Sequence, residues 1–533
     1  MKSWKEDGQS SRLGSAEIRQ GWCPVEMNIQ RAKQEIKDTI EAYLDKDEYG
    51  TYRIPEIRQR PVLLMGPPGV GKTQIMEQIA SECDIGLVAY TITHHTRQSA
   101  IGLPYLTKRQ YGGKEMTITE YTMSEIIASV HDKIEETGLQ EGILFIDEIN
   151  CVSETLAPTM LQFLQRKSFG SHHVPAGWVI VAAGNPPEYN KSVRDFDVVT
   201  LDRLKRIDVR EDYDVWKKYA YRRQIHAAIL SYLDIKKQHF YTFETTVDGQ
   251  AFVTARGWED LSQFLLACEK LNLPIDESVI LEYIQHPKIA RDFAAYYDLF
   301  QKYQSDYHVE EILAGNLPAS AIERLQGAPF DERLSVIGML IGRLTGTFSA
   351  SYYLDMQITT LFESLKSVKR RMEQDTLPTL LTQEAARVRE KLSARQKASA
   401  VDRREAAAIL KSAQALEADA HMLSAEAIRS NEDGFAKISE RFQQDVADMD
   451  AQTEQASAML EHAFDFLTKT FGKSQEMVVF VTELNTNFFC TWFIGQNDSE
   501  AYTRCNKELM IGKQKQELMG DIKKIHSFLT VLE

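Results

Sequence analysis

A chain of 533 residues, 43% hydrophobic and 26% charged, is long enough for more than one domain, each with a buried core. Its net charge of −15 argues against a general nucleic-acid binder, which would carry a basic patch, although the total leaves a local basic stripe possible. Six scattered cysteines (Cys23, Cys83, Cys151, Cys268, Cys490, Cys505) form no C-x-x-C pair, which fits reduced thiols rather than a disulfide framework or a zinc site. No apolar run approaches a membrane span and no signal peptide is evident, so a cytoplasmic location is expected.

Residues 1–26 are polar and rich in Ser, Gly and Gln, which predicts a mobile segment. Helical spacing begins at Met27, with Ile29, Ala32, Ile36, Ile40, Tyr43 and Leu44 on one face. The first predicted strand, Val62–Met65, runs into Gly66-Pro67-Pro68-Gly69-Val70-Gly71-Lys72-Thr73, and a helix is predicted from Gln74 to about Glu82. The form G-x-x-x-x-G-K-T between a strand and a helix is the context of a phosphate-binding loop. Its glycines let successive N–H groups turn inward into an anion site, and the helix adds the positive end of its dipole. Lys72 is then expected on the β- and γ-phosphates and the Thr73 hydroxyl on Mg²⁺, with Gln74 closing the nucleotide-binding set.

Further apolar strands are predicted at Gly86–Ile92, Gly142–Ile146, Trp178–Ala183 and Arg206–Val209, with a helix near Glu154–Gln165. Strands that are apolar throughout and separated by helices predict an α/β domain over residues 27–210, a parallel five-stranded sheet covered on both faces. Ligand then belongs at the carboxyl ends of the strands. Residues 211–310 read as a small helical lid, with helices at Tyr213–Leu233, Arg256–Lys270 and Ile280–Tyr303. Residues 311–533 read as all-α. Within them, Leu380–Phe471 has no proline, and Ile409, Leu416 and Leu423 are seven apart, each followed four residues later by Ala413, Ala420 or Ala427. That seam, continued by Ile438, Phe442, Val446, Met449, Ala456, Leu460 and Leu467 beyond a break at Asn431–Gly434, predicts a long helical hairpin over 380–471. It suits a bundle packed on its own domain and an oligomerising or partner-docking arm equally well.

The run Ile143-Leu144-Phe145-Ile146-Asp147-Glu148 is a strand that delivers two carboxylates to the sheet's carboxyl edge. Asp147 is expected to hold Mg²⁺ and Glu148 to polarise an attacking water as a base. The next strand ends in Gly184-Asn185-Pro186-Pro187, where the Asn185 amide could orient that water; an Asx turn before proline is the plainer alternative. The pairs His94-His95 and His172-His173 have no third ligand at zinc spacing and read as loop histidines.

These motifs, in this order, resemble the AAA+ ATPases, and the nearest branch is the MoxR-like, dynein-related group. The resemblance covers roughly residues 27–300 and rests on Gly66–Thr73 (Walker A), Ile143–Glu148 (Walker B), Gly184-Asn185-Pro186 (sensor 1), Leu201-Asp202-Arg203 and Thr254-Ala255-Arg256. It implies an ATPase with ATP and Mg²⁺ at subunit interfaces of a ring, commonly a hexamer. It further implies Arg203 as arginine finger with Arg206 as fallback, and Arg256 as the sensor 2 arginine. By the same resemblance, His94–Gly138 and Phe169–Trp178 are the branch's insertions, facing substrates or partners. A von Willebrand factor A-domain partner and a client protein complex to remodel or mature are also implied. The sequence departs from the branch at Cys151-Val152-Ser153, and residues 311–533 match no nameable module. Two alternatives stay open: a nucleotide-gated scaffold, and a nucleic-acid-directed NTPase akin to restriction subunits.

Overall fold

A computed structural model describes residues 26–94, 97–189, 193, 196–246, 249–397, 401–426 and 430–508. The expectation of a mobile segment over 1–26 falls, but for Glu26, outside them. Six strands form one parallel sheet among the described residues: β1 (Met27–Asn28), β2 (Val62–Met65), β3 (Gly86–Thr91), β4 (Gly142–Asp147), β5 (Trp178–Gly184) and β6 (Lys205–Arg210). Their order is β1-β6-β2-β5-β4-β3. The strand beyond the expected five is β1, whose two residues pair with Val209 and Arg210 and are too few to show a period.

Both faces of the sheet are covered, which is why the strands read as unbroken apolar runs. On one face Val62, Leu64, Ile143, Phe145 and Val181 pack against Ala32, Ile36 and Ile40 of the Ile29–Leu44 helix and Ile75, Met76 and Ile79 of the Lys72–Glu82 helix. On the other, Leu63, Leu144, Ile146 and Ile180 meet Ile126 and Val130 of the Glu125–Thr137 helix and Met160 and Phe163 of the Ala157–Arg166 helix. An antiparallel hairpin, Pro104–Tyr111 with Lys114–Tyr121, stands out within the 94–138 insertion, and Ser168–Phe169 pairs with His172–His173 in the second.

Beyond Arg210 two helices expected to be continuous are broken. Gln224 adopts a left-handed conformation (φ 55°) and separates Tyr213–Arg223 from Ala227–Ile235. Pro287, which cannot donate within a helix, opens Pro287–Tyr307 after Glu277–Tyr283 instead of lying inside one helix. A hairpin of Thr242–Thr246 and Gly249–Val253 interrupts the helices and leads into Ala255–Leu271.

The 41-residue helix Phe330–Arg370, about 60 Å long, spans two cores. Its first half places Val336, Leu340, Leu344 and Phe348 in one continuous core with Trp258 and Phe293 of the lid and Phe464, Phe480 and Phe493 of the C-terminal helices. That core has no break near residue 310. The same helix is long and apolar enough to cross a membrane by composition, but most of its apolar window is buried in the protein. Its second half joins an arm in which Leu365 and Val368 pack with Leu381, Ala385, Ala413 and Leu416.

The hairpin of this arm pairs Leu377–Lys397 with Arg403–Ala425, and a third helix, Asn431–Phe471, runs back to the lid core. The seam residues Ile409, Ala413, Leu416, Ala420 and Leu423 are buried, whereas Ala427 lies outside the described residues. Asn431–Gly434 is not the break: Ser430 caps the helix and Gly434 is buried in its first turn. Among the described residues the arm is therefore a bundle of four helical segments.

Candidate active site

The loop after β2 bends on two glycines that need positive φ, Gly69 (77°) and Gly71 (92°). Gly71 caps the Lys72–Glu82 helix, so the first N–H groups of that helix face the loop's hollow. A side chain on Gly69 would crowd Thr254 and stand 3.7 Å from the Arg256 Cβ, which puts the lid directly over the loop. Tyr241, also of the lid, donates its hydroxyl to the Pro68 carbonyl at 3.0 Å.

Four of the expected residues meet here. Lys72 Nζ donates to the carbonyls of Gly66 (2.8 Å) and Pro67 (2.9 Å) and to Asn185 Oδ1 (2.8 Å). Thr73 Oγ1 donates to Asp147 Oδ2 at 3.1 Å. β5 lies between β2 and β4 in the sheet, so the Lys72, Asn185 and Asp147 positions follow from three adjacent strand ends. Lys72 is buried, and burial pushes its ammonium down to about 8; the carboxylate of Asp147 opposes that lowering and the charge of Arg256 adds to it.

Glu148 follows Asp147 in the left-handed region (φ 58°), a conformation a non-glycine residue holds only when its surroundings impose it. Its carboxylate accepts a hydrogen bond from Thr93 Oγ1 at 2.9 Å. Asn185 is clamped by Asn150, which donates to the Asn185 carbonyl (2.8 Å) and accepts from its N–H (3.3 Å). The contact of Thr93 with Glu148 and the clamp by Asn150 join residues 55 and 35 positions apart, a relation that no local pattern carries. The side chain of Gln74 points to the lid, donating to the Tyr219 hydroxyl at 2.9 Å, so only its backbone remains for a nucleotide.

Arg256 sits in the first turn of its helix, after the Thr254 cap, exposed and without an ion pair among the described residues. A cation at the positive end of a helix dipole is unfavourably placed, by about 0.3–1 kcal/mol, unless an anion joins it. Arg203 and Arg206 are elsewhere. Arg203 precedes β6 and donates to Gln165 of the Ala157–Arg166 helix; Arg206 is paired with Asp208 on the same strand. Lys205 is in register with Val62, so Arg203 lies at the edge of the sheet opposite the phosphate loop.

Oxygen donors from Thr73 and Asp147 suit a hard cation such as Mg²⁺, which binds through one or two carboxylates, waters and substrate phosphates. A parallel sheet with a glycine loop, a buried lysine and paired carboxylates at its carboxyl edge defines a P-loop NTPase fold. Residues 61–204 match the family described as AAA domain (dynein-related subfamily). The match supports ATP binding and hydrolysis as the use of this domain. Among solved structures, a "putative ATPase" from Cytophaga hutchinsonii is similar at 19% identity over 34% of this chain and 52% of its own, about half its length, with a TM-score of 0.20. No curated protein matches the chain.

Proposed function

We propose that the chain is the ATP-hydrolysing subunit of a ring-forming machine that remodels a protein client. The observation that carries this reading is the meeting of Lys72, Thr73, Asp147 and Asn185 at three adjacent strand ends. The loop's N–H groups and Lys72 hold the triphosphate, and Arg256 lies over it from the lid. Thr73 and Asp147 would hold Mg²⁺, which would supply charge neutralisation at the phosphates. Asn185, fixed by Asn150, orients the water, and Glu148 takes its proton once released from Thr93.

Arg203 supports the ring. At about 3.3 Å per strand residue, the opposite sheet edge is more than 10 Å from the loop, so Arg203 lies away from its own chain's nucleotide, which supports a role at a neighbouring subunit's. A hexamer, a MoxR-like role and a von Willebrand factor A-domain partner rest on the resemblance of the motifs alone. Mixing two inactive variants tests the shared site. Arg203→Ala keeps an intact loop and Glu148→Gln keeps an intact finger, so mixed assemblies should regain turnover that neither variant has alone. Mixtures no more active than the parents would remove Arg203 from a neighbour's site.

A further inference from the structure

The lid helix Tyr213–Arg223 carries a contact that the nucleotide site itself does not use. The Tyr219 hydroxyl accepts from Gln74 Nε2 (2.9 Å) and from Arg223 Nε (3.1 Å) and donates to Glu259 Oε1 (2.9 Å). A phenol offers one donor and two acceptors, so this hydroxyl is fully satisfied. Burial, reinforced by the Glu259 charge, pushes its pKa up to about 12, which keeps it a donor at any working pH. Arg223 closes the set, its Nε 3.5 Å from Glu259 and its guanidinium carbon 5.7 Å from the centre of the Tyr219 ring.

The two ends of this chain of hydrogen bonds matter. Gln74 follows Thr73 directly, in the first turn of the helix that the phosphate loop opens. Glu259 lies one helical turn after Arg256 in Ala255–Leu271. Residues three apart on a helix share a face, so whatever fixes Glu259 also fixes the side from which Arg256 projects. Arg256 has no ion pair of its own to hold it among the described residues. Tyr241 on Pro68 docks the lid at a second point, so loss of the Tyr219 hydroxyl would let the Arg256 helix tilt without detaching the lid.

We propose that Tyr219 is a positioning residue for Arg256, tying the phosphate-loop helix through Gln74 to the Arg256 helix through Glu259. The proposal rests on the ATPase reading of the site. Binding of the triphosphate is carried mainly by the loop and Lys72, so misplacing Arg256 acts on the charge that develops during hydrolysis.

The test is steady-state hydrolysis and fluorescent-ATP binding by the full-length wild type, Tyr219→Phe, Arg256→Ala and the double variant. Tyr219→Phe should lower kcat about tenfold, the lower range for losing a hydrogen bond to a carboxylate, with nucleotide affinity changed less than about threefold. In the Arg256→Ala background the same substitution should cost nothing further, because it acts through Arg256. An unchanged kcat, or losses that multiply in the double variant, would overturn the proposal. Should Tyr219→Phe fail to fold, seen as lost nucleotide binding, Glu259→Gln decides by the same kcat-against-KM split. A wild type without turnover sinks the ATPase reading and this one with it; an active wild type with a fully active Tyr219→Phe sinks this one alone.

Discussion

The lowered pKa of Lys72 makes nucleotide affinity depend on pH in a defined direction. In the nucleotide-free protein the ammonium is held at about 8 by burial. A bound triphosphate places negative charge within hydrogen-bond reach, which favours the charged form and raises the value well above that. Below pH 8 both states carry the proton and affinity is flat. Above pH 8 the free site loses the proton while the complex keeps it, so binding must take a proton up and weakens as pH rises. The limiting slope is tenfold per pH unit, about 1.4 kcal/mol, and because half the free sites have already lost the proton at pH 8 the fall between pH 8 and 9.5 is roughly sixteenfold. ATP itself is fully ionised throughout that window. Titration with a fluorescent ATP analogue and Mg²⁺ from pH 7 to 9.5 reads the effect, with Lys72→Arg as control, since a guanidinium stays charged. A wild-type affinity that is flat over the window, or an Arg variant that falls in parallel, would refute the reasoning.

Three further outcomes are expected. Asn150→Ala removes both hydrogen bonds that clamp Asn185, and should lower turnover about tenfold while ATP binding, measured by the same titration, stays near wild type. Asp419 of the arm is fully buried, with one oxygen on Arg441 and the other unpartnered, and burial pushes its carboxyl up to about 6. Its folded value exceeds its unfolded one, so its contribution to stability is complete below about pH 4 and is lost as pH rises through 6. Asp419→Asn should therefore gain on the wild type between pH 4 and 7, by about 1–2 kcal/mol after allowing for Arg441, in urea melts at each pH. Phe348→Ala empties a ring stacked on Phe493 at 4.1 Å in the core shared by lid and C-terminal helices. It should cost about 3–5 kcal/mol and lower the melting of both regions together; a change confined to one would show that the core is not continuous.

What could be read from the sequence was local. The loop Gly66–Thr73, the acid pair after Ile146 and the apolar strands declare themselves within a few residues, because glycine, charge and burial on two faces each leave a short-range mark. The limits of the five expected sheet strands lie within one residue of those in the structure. The break at Gln224 was hidden, because the left-handed residue there is a glutamine and no glycine announces it. The arm looked like a simple hairpin since its heptads record apolar faces but not how many partners those faces have. Contacts such as Thr93 with Glu148 and Gln74 with Tyr219 span 55 and 145 residues, and only the fold brings them together.

The central claim is that one pocket at the sheet's carboxyl edge binds and cleaves a nucleoside triphosphate. Phosphate release from ATP by purified wild type and Glu148→Gln, with ATP affinity measured on the same samples, tests it most directly. Steady release by the wild type, with at least about a hundredfold less from a variant that still binds ATP, is the expected result. Equal release from both proteins, or tight binding with none from either, would contradict it.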